Sequence, residues 1–417
     1  MKCQSVIDKQ AAPPGRSGQE VFDGVLCIAG VDWWYHNRGH SEVRIMCQLA
    51  ETLPVLFVNS LGMRTPRPGV STQSGRRIFR KLCSMAKGLR KVAPQMWVFS
   101  PIMLPPCSKP WVRRMNARLV AAQIRLVLKA IGMRRWFTWV TIPTAIDVLN
   151  ALPENLIVFN RSDAFSTFPE VCVEYIKSCE DAMLKKSDLV LYVNRTLMNE
   201  DMALEERKRF LGHGVDYDRF VEASRNRNSV PSELAGLQRP IVGFFGSIDD
   251  YTTDLKLLKF AAESLPDMSF VLVGMSTLDI SDLTSLSNVH YLGFQPHQRI
   301  AELGACFDVG IVPRLQNEWV AYSNPIKVKE YLALGIPIVA TPIPPAKEYP
   351  DLVSVAATHE EFVEALRRAV MLNTDELRLT RQKAVEKDSW RAKAREVLTL
   401  AVKLEEQRSM LTQGNGG

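Results

Sequence analysis

The stretch Ser323-Asn324-Pro325-Ile326-Lys327-Val328-Lys329-Glu330-Tyr331-Leu332-Ala333-Leu334-Gly335-Ile336-Pro337-Ile338-Val339-Ala340-Thr341 decides how this chain is read. It predicts a short helix followed by a buried strand. Asn324 suits the N-cap, with Ser323 as the alternative, and Pro325 suits the first helical position, where a missing N–H costs nothing. Gly335 ends the helix in the manner of a left-handed C-terminal residue. Residues 336–340 form a continuous apolar run, the pattern of a strand covered on both faces. The first turn of such a helix presents free N–H groups and the positive end of a dipole, and so favours phosphate. Lys327 adds a full charge there. Glu330, three residues on, shares its face and can accept hydrogen bonds from ribose hydroxyls. A phosphate end followed by a ribose end describes a nucleotide. The competing reading is an ordinary surface ion pair, and the surrounding alternation of strands and helices argues against it.

The chain has 417 residues, enough for two domains. Its hydrophobic content of 46% and charged content of 23% are those of a globular protein, and no apolar run reaches the length of a membrane span. Residues 1–20 lack an apolar core segment and are expected to form a loose tail rather than a signal peptide. Eight scattered cysteines without a Cys-x-x-Cys pair predict reduced thiols, not a disulfide framework or a zinc site.

Charge is distributed unevenly. Residues 1–150 hold 22 Lys and Arg against 7 Asp and Glu, and the remainder holds 30 against 38. Between Glu51 and Asp147 there are 17 basic residues and no carboxylate. So one-sided a segment implies an anionic partner. Residues 76–91 and 111–131 read as helices with basic faces beside apolar residues, which suits contact with an anionic membrane surface.

Strands are expected at 21–31, 55–59, 96–100, 136–142, 156–160 and 188–193, with helices between them. This is an α/β pattern with a mainly parallel sheet. In such a sheet the loops at the carboxyl ends of the strands build the binding crevice. The loop after the first strand concentrates Asp32, Trp33, Trp34, Tyr35, His36 and Arg38, a set suited to a sugar or lipid headgroup, or else to anchoring the core. Asp163 follows the strand 156–160 at the same edge. Residues 222–239, polar and containing Pro231, read as a linker. A second α/β set begins with the strand 241–245 and the turn Gly246-Ser247. A third glycine of the dinucleotide fingerprint is missing, as are a Walker loop and a metal-ligand cluster.

Taken in order, Phe244-Phe245-Gly246-Ser247, residues 266–274, residues 288–293, residues 307–313 and residues 325–341 resemble the donor domain of GT-B glycosyltransferases. The match is to the family 4-like (group 1) bacterial enzymes of polysaccharide and teichuronic-acid type. His213-Gly214-Val215-Asp216 resembles the turn that closes the N-terminal domain in that family. The resemblance implies an α/β chain of two Rossmann-like domains facing across a cleft. An acceptor domain would span residues 21–221, and a nucleotide-sugar domain residues 240–388. A last helix, 389–412, would return to the first domain.

Carried over to this chain, the resemblance assigns donor binding to Gly246, Ser247, Ser323, Asn324, Lys327 and Glu330. Gly246 and Ser247 would line the diphosphate, Lys327 would neutralise it, and Glu330 would hold the ribose of a UDP- or GDP-linked sugar. Metal and other cofactors are then unnecessary. Two positions depart from the family pattern: Tyr322 stands where a first glutamate is expected, and residues 141–144 hold no histidine. An inverting reaction would need a base for the acceptor hydroxyl. Asp163 is the first candidate, with His36 and Asp32 in reserve. Asp32, Trp33, Tyr35 and Arg38 are the expected acceptor-binding set. The expected activity is sugar transfer to a lipid-linked or glycan acceptor at the inner face of the cytoplasmic membrane. An epimerase of the same fold and a binder of nucleic acid are the rival readings. The second lacks a recognition motif.

Overall fold

The computed structural model describes residues 18–35, 40–61, 74–104, 110–168, 171–201 and 205–414. The chain forms two compact units. The first comprises residues 1–193, 198–211 and 393–417, and the second residues 194–197 and 212–392.

The first unit is built on an eight-stranded sheet in the order β3-β4-β2-β1-β5-β6-β7-β8. Its strands are β1 Gly24–Ile28, β2 Val55–Val58, β3 Leu89–Ala93, β4 Met96–Phe99, β5 Trp136–Val140, β6 Leu156–Arg161, β7 Leu189–Tyr192 and β8 Lys208–Phe210. All pairings are parallel except β3 with β4. β1, β2, β6 and β7 are buried along their whole length, which is why they read as unbroken apolar runs. The strand order reverses between β1 and β5, and there the loops after β1 and β5 leave the sheet in opposite directions.

The second unit carries a six-stranded, wholly parallel sheet in the order β11-β10-β9-β12-β13-β14. The strands are β9 Ile241–Phe245, β10 Ser269–Val273, β11 Val289–Gly293, β12 Val309–Val312, β13 Ile338–Ala340 and β14 Val353–Val355. Successive residues feed opposite cores. Phe245, Val271 and Val273 join one, with the helices Lys327–Leu334 and His297–Ala305. Phe244, Phe270 and Leu272 join the other, with Leu255–Ser264 and His359–Met371. This is the doubly wound arrangement, whose reversal point lies between β9 and β12. Two glycines permit the close packing. A Cβ at Gly243 would enter the Phe307 ring, and one at Gly310 would lie 2.7 Å from the Tyr331 ring.

Several expectations are corrected. The basic helix expected over 76–91 is Ser74–Met85; Gly88, at φ 55°, turns the chain, and residues 89–93 become the antiparallel strand β3. The main run of the second unit begins at residue 212, whereas the sequence pattern ends the first domain at 221 and begins the second at 240 after a linker. Residues 217–225 form a helix whose Phe220 is fully buried in the second core, so the polar character of the following residues marks a surface, not a linker. The last helix, Trp390–Gly414, starts in the second unit and belongs to the first from Lys393 onward. Helix Asp375–Val385 was not anticipated; its apolar residues are few, and Thr374 caps it by accepting from Leu377 N.

Candidate functional site

The decisive stretch folds as helix Lys327–Leu334 and strand β13. Every residue of this helix is buried. Its entry is a tighter turn than expected: Pro325 O accepts from Val328 N at 3.3 Å, and Ile326 holds the cap position. Asn324 therefore lies two residues before the cap, a correction that follows from proline placing its turn before the helix proper. Gly335 adopts φ 75°, and Ile336 N reaches back to Tyr331 O at 3.2 Å, closing the C-terminus. The Tyr331 hydroxyl donates to Gly243 O and accepts from Phe245 N, both at 3.2 Å, tying the helix to β9.

Lys327 is buried, and its Nζ lies 4.2 Å above the Phe244 ring. Among the described residues no hydrogen bond or ion pair holds that nitrogen. Loss of hydration, and secondarily Arg314, push its pKa well below the usual lysine range; Glu330 and Asp249 pull weakly the other way. Gly246 sits directly beneath it: at φ 146°, a Cβ there would collide with Lys327 Nζ. Gly274, also at φ 147°, allows the Gly246 carbonyl to pass. Ser247 is exposed, whereas Ser323 is buried and donates to Val320 O at 3.0 Å. Glu330 is buried on the same helix face as Lys327. Thus Gly246, Lys327, Glu330 and the 323–326 turn gather at the carboxyl ends of β9 and β12.

Two charged residues at this edge were missed. Asp249 is buried and accepts from Thr252 N at 2.8 Å and Thr252 Oγ1 at 2.6 Å. Arg314 follows β12, and burial lowers its pKa. Their sequence signal was position alone: each stands within a few residues of the end of a central strand.

In the first unit the loop after β1 is held by a polar network. Asp32 accepts from Ser84 Oγ at 2.6 Å and from Trp34 N at 3.0 Å. Asn59 binds Trp33 N at 2.8 Å and Ser100 Oγ at 2.8 Å. Trp33 is buried edge-on against Phe57, so its expected contact with acceptor is corrected to a core role. Asp32, with both oxygens engaged, shapes the loop. Trp34 is half-buried and Tyr35 exposed, and Lys87 Nζ stands 4.4 Å and 5.3 Å from their ring centres. His36 and Arg38 lie outside the described residues.

Asp163 follows β6, and Ser162 Oγ donates to it at 3.0 Å. Burial pushes its pKa up to about 7, against the smaller lowering by Ser162. It is not paired with Arg161, whose guanidinium turns inward to Asp201 at 3.3 Å and Glu180 at 3.9 Å. Among the described residues no group of three His, Cys, Asp or Glu is placed to hold a metal ion.

Residues 239–371 match the family Glycosyl transferases group 1. A candidate teichuronic acid biosynthesis glycosyltransferase of Bacillus subtilis (strain 168) is 29% identical over 196 residues, which is 45% of this chain and 48% of that protein. The chain thus spans about half the length of this curated relative. Among solved structures, the sucrose-phosphate synthase of Thermosynechococcus elongatus superposes with a TM-score of 0.67 at 14% identity, covering 92% of this chain and 99% of that one. An E. coli trehalose-6-phosphate structure bound with UDP-2-fluoro glucose gives a TM-score of 0.65 at 12% identity, covering 91% and 98%. A Rickettsia africae glycosyltransferase gives 0.62 at 13%, covering 91% and 98%. The chain has the GT-B fold of two parallel-sheet α/β domains, and within its second domain residues 239–371 match the Glycosyl transferases group 1.

Proposed function

We propose that this protein transfers a sugar from a nucleoside-diphosphate donor, UDP- or GDP-linked, to a lipid-linked or glycan acceptor in polysaccharide assembly. The observation that carries the reading is Lys327: a buried lysine whose Nζ has no hydrogen-bond partner among the described residues, above Gly246 and beside Glu330. An unpaired buried cation is costly unless a ligand supplies the counter-charge. In the reaction the acceptor oxygen attacks the anomeric carbon, and the bond from that carbon to the diphosphate breaks. Lys327 and the start of helix Lys327–Leu334 neutralise the departing diphosphate. Glu330 accepts from the ribose hydroxyls. Asp163, its pKa near neutrality, takes the acceptor's proton. In this proposal the lysine does the work a metal ion does elsewhere, and no other cofactor is required.

The first unit supports an acceptor that lies on an anionic membrane. Its acid-free segment contributes exposed Phe79, Leu82 and Trp111 beside Arg80, Arg114 and Arg118. No described helix is long and apolar enough to cross a membrane, and the proposed contact is peripheral, on the inner face. Titration calorimetry with UDP and GDP tests the donor half. Lys327→Ala should weaken the preferred diphosphate at least about tenfold. Binding of neither nucleotide, or an unaffected variant, overturns the reading.

A further inference from the structure

Arg314 stands at the reversal point of the second sheet, immediately beyond β12. Its backbone is clamped from both neighbouring strands. Arg314 N donates to Thr341 Oγ1 at 2.9 Å, and that hydroxyl donates back to Arg314 O at 2.8 Å. On the other side Arg314 pairs with Thr253 in an isolated antiparallel bridge, and Leu315 N donates to Thr252 O at 3.1 Å. Thr253 Oγ1 in turn donates to Ser247 O at 3.2 Å, so the loop after β9 and the loop after β12 form one braced frame. Within that frame the side chain is left over. Its Nε is buried and has no hydrogen-bond partner. It lies near enough to Lys327 to disfavour that ammonium, and near enough to Asp249 to be favoured by it.

Holding a buried lysine and a partly buried arginine within Coulombic reach of each other raises the protein's electrostatic energy. The arrangement is stable only with a shared counter-charge, and Asp249 already serves Thr252 with its Oδ1. A diphosphate supplies more charge than a single carboxylate and matches the planar guanidinium in geometry. Resting on the donor-site reading above, we infer that Arg314 is a second phosphate-gripping residue of this domain, which with Lys327 makes the site select nucleoside diphosphates over monophosphates, while Asp249 balances its charge in the empty state.

The test compares UDP and GDP with UMP and GMP by calorimetry, on the full chain and its variants. Arg314→Gln should weaken the diphosphate about 10- to 100-fold and the monophosphate less than about threefold. Arg314→Lys should recover part of the loss, since it keeps the charge without the fork. Equal losses on both ligands, or no loss, overturn the inference and leave the donor-site reading standing. A wild-type protein that binds no nucleotide overturns both. Should Arg314→Gln fail to fold, Asp249→Asn decides: removing the competing carboxylate should tighten the diphosphate, and unchanged or weaker binding counts against the inference.

Discussion

Gly246 illustrates how a single backbone angle governs this domain. At φ 146° it occupies a region that side chains avoid, and its missing Cβ is the space that Lys327 Nζ fills. Gly246→Ala should therefore cost about 1–3 kcal/mol in stability and displace the lysine, reducing diphosphate affinity at least about tenfold. Chemical denaturation and calorimetry on one variant separate the two effects. Asp163 offers a residue-scale test by pH. Its folded-state pKa is raised to about 7 from a reference value of 3.8, so the native state binds more protons than the unfolded one between those values. Its contribution to stability is complete below about 3.8, falls as pH rises, and is lost once pH passes 7. Asp163→Asn should flatten that slope in denaturation curves. The same ionisation would make transfer rise with pH through about 7 if the carboxylate is the base, and the variant should lose both the rise and most of the rate. The pairing of Lys327 with Glu330 could be read from a three-residue spacing. The partnership of Lys327 with Arg314, thirteen positions upstream and on a different element, could not.

Helix Lys327–Leu334 is unusual for a short helix in being buried on every side, charged residues included. Three of its eight residues are charged, and each has a separate task. Lys329, which reads in the sequence as a surface lysine, forms a 2.9 Å ion pair with Asp388 and donates to His213 O at 2.8 Å. Tyr349 adds a hydroxyl to Asp388 at 3.3 Å, and Asp388 O accepts from Val215 N at 2.8 Å. The element that presents Lys327 is thereby fastened to the two chain segments that enter and leave the second unit. Lys329→Ala should strand a buried carboxylate and cost about 3–5 kcal/mol, seen as a lowered unfolding midpoint, whereas Lys329→Met with Asp388→Leu should recover much of it. The helix, its glycine stop and the strand after it were legible because their signals are local. The missed strand β3 and the missed helix over 217–225 were not. One depends on a hairpin partner, β4, and the other on Phe220 finding the second core.

At the scale of the whole molecule, basic charge and exposed apolar side chains coincide in the first unit. Phe79 and Trp111 are each more than half exposed, at 66% and 61%, within a stretch of sequence that has no carboxylate. A bilayer with anionic headgroups satisfies both features, at about 1 kcal/mol per basic residue near its surface. The protein should pellet with phosphatidylserine-containing vesicles and not with neutral ones. Raising salt toward 1 M should release most of it, because the screening length shrinks to about 3 Å. Phe79→Ser with Trp111→Ser should weaken the vesicle contact without altering nucleotide binding. Pelleting that ignores charge and salt would remove the membrane from the proposal.

The α/β class, the reversal of charge along the chain and the placing of Lys327 and Glu330 one turn apart on one helix were determined by sequence alone. Each depends on neighbours within a few positions, or on composition. The true start of the second domain, the core role of Trp33, and the convergence of Gly246, Asp249, Arg314 and Lys327 were decided only by tertiary structure. The physical reason is that a parallel sheet brings together the ends of strands far apart in the chain, and burial then sets the charge state of whatever side chains meet there.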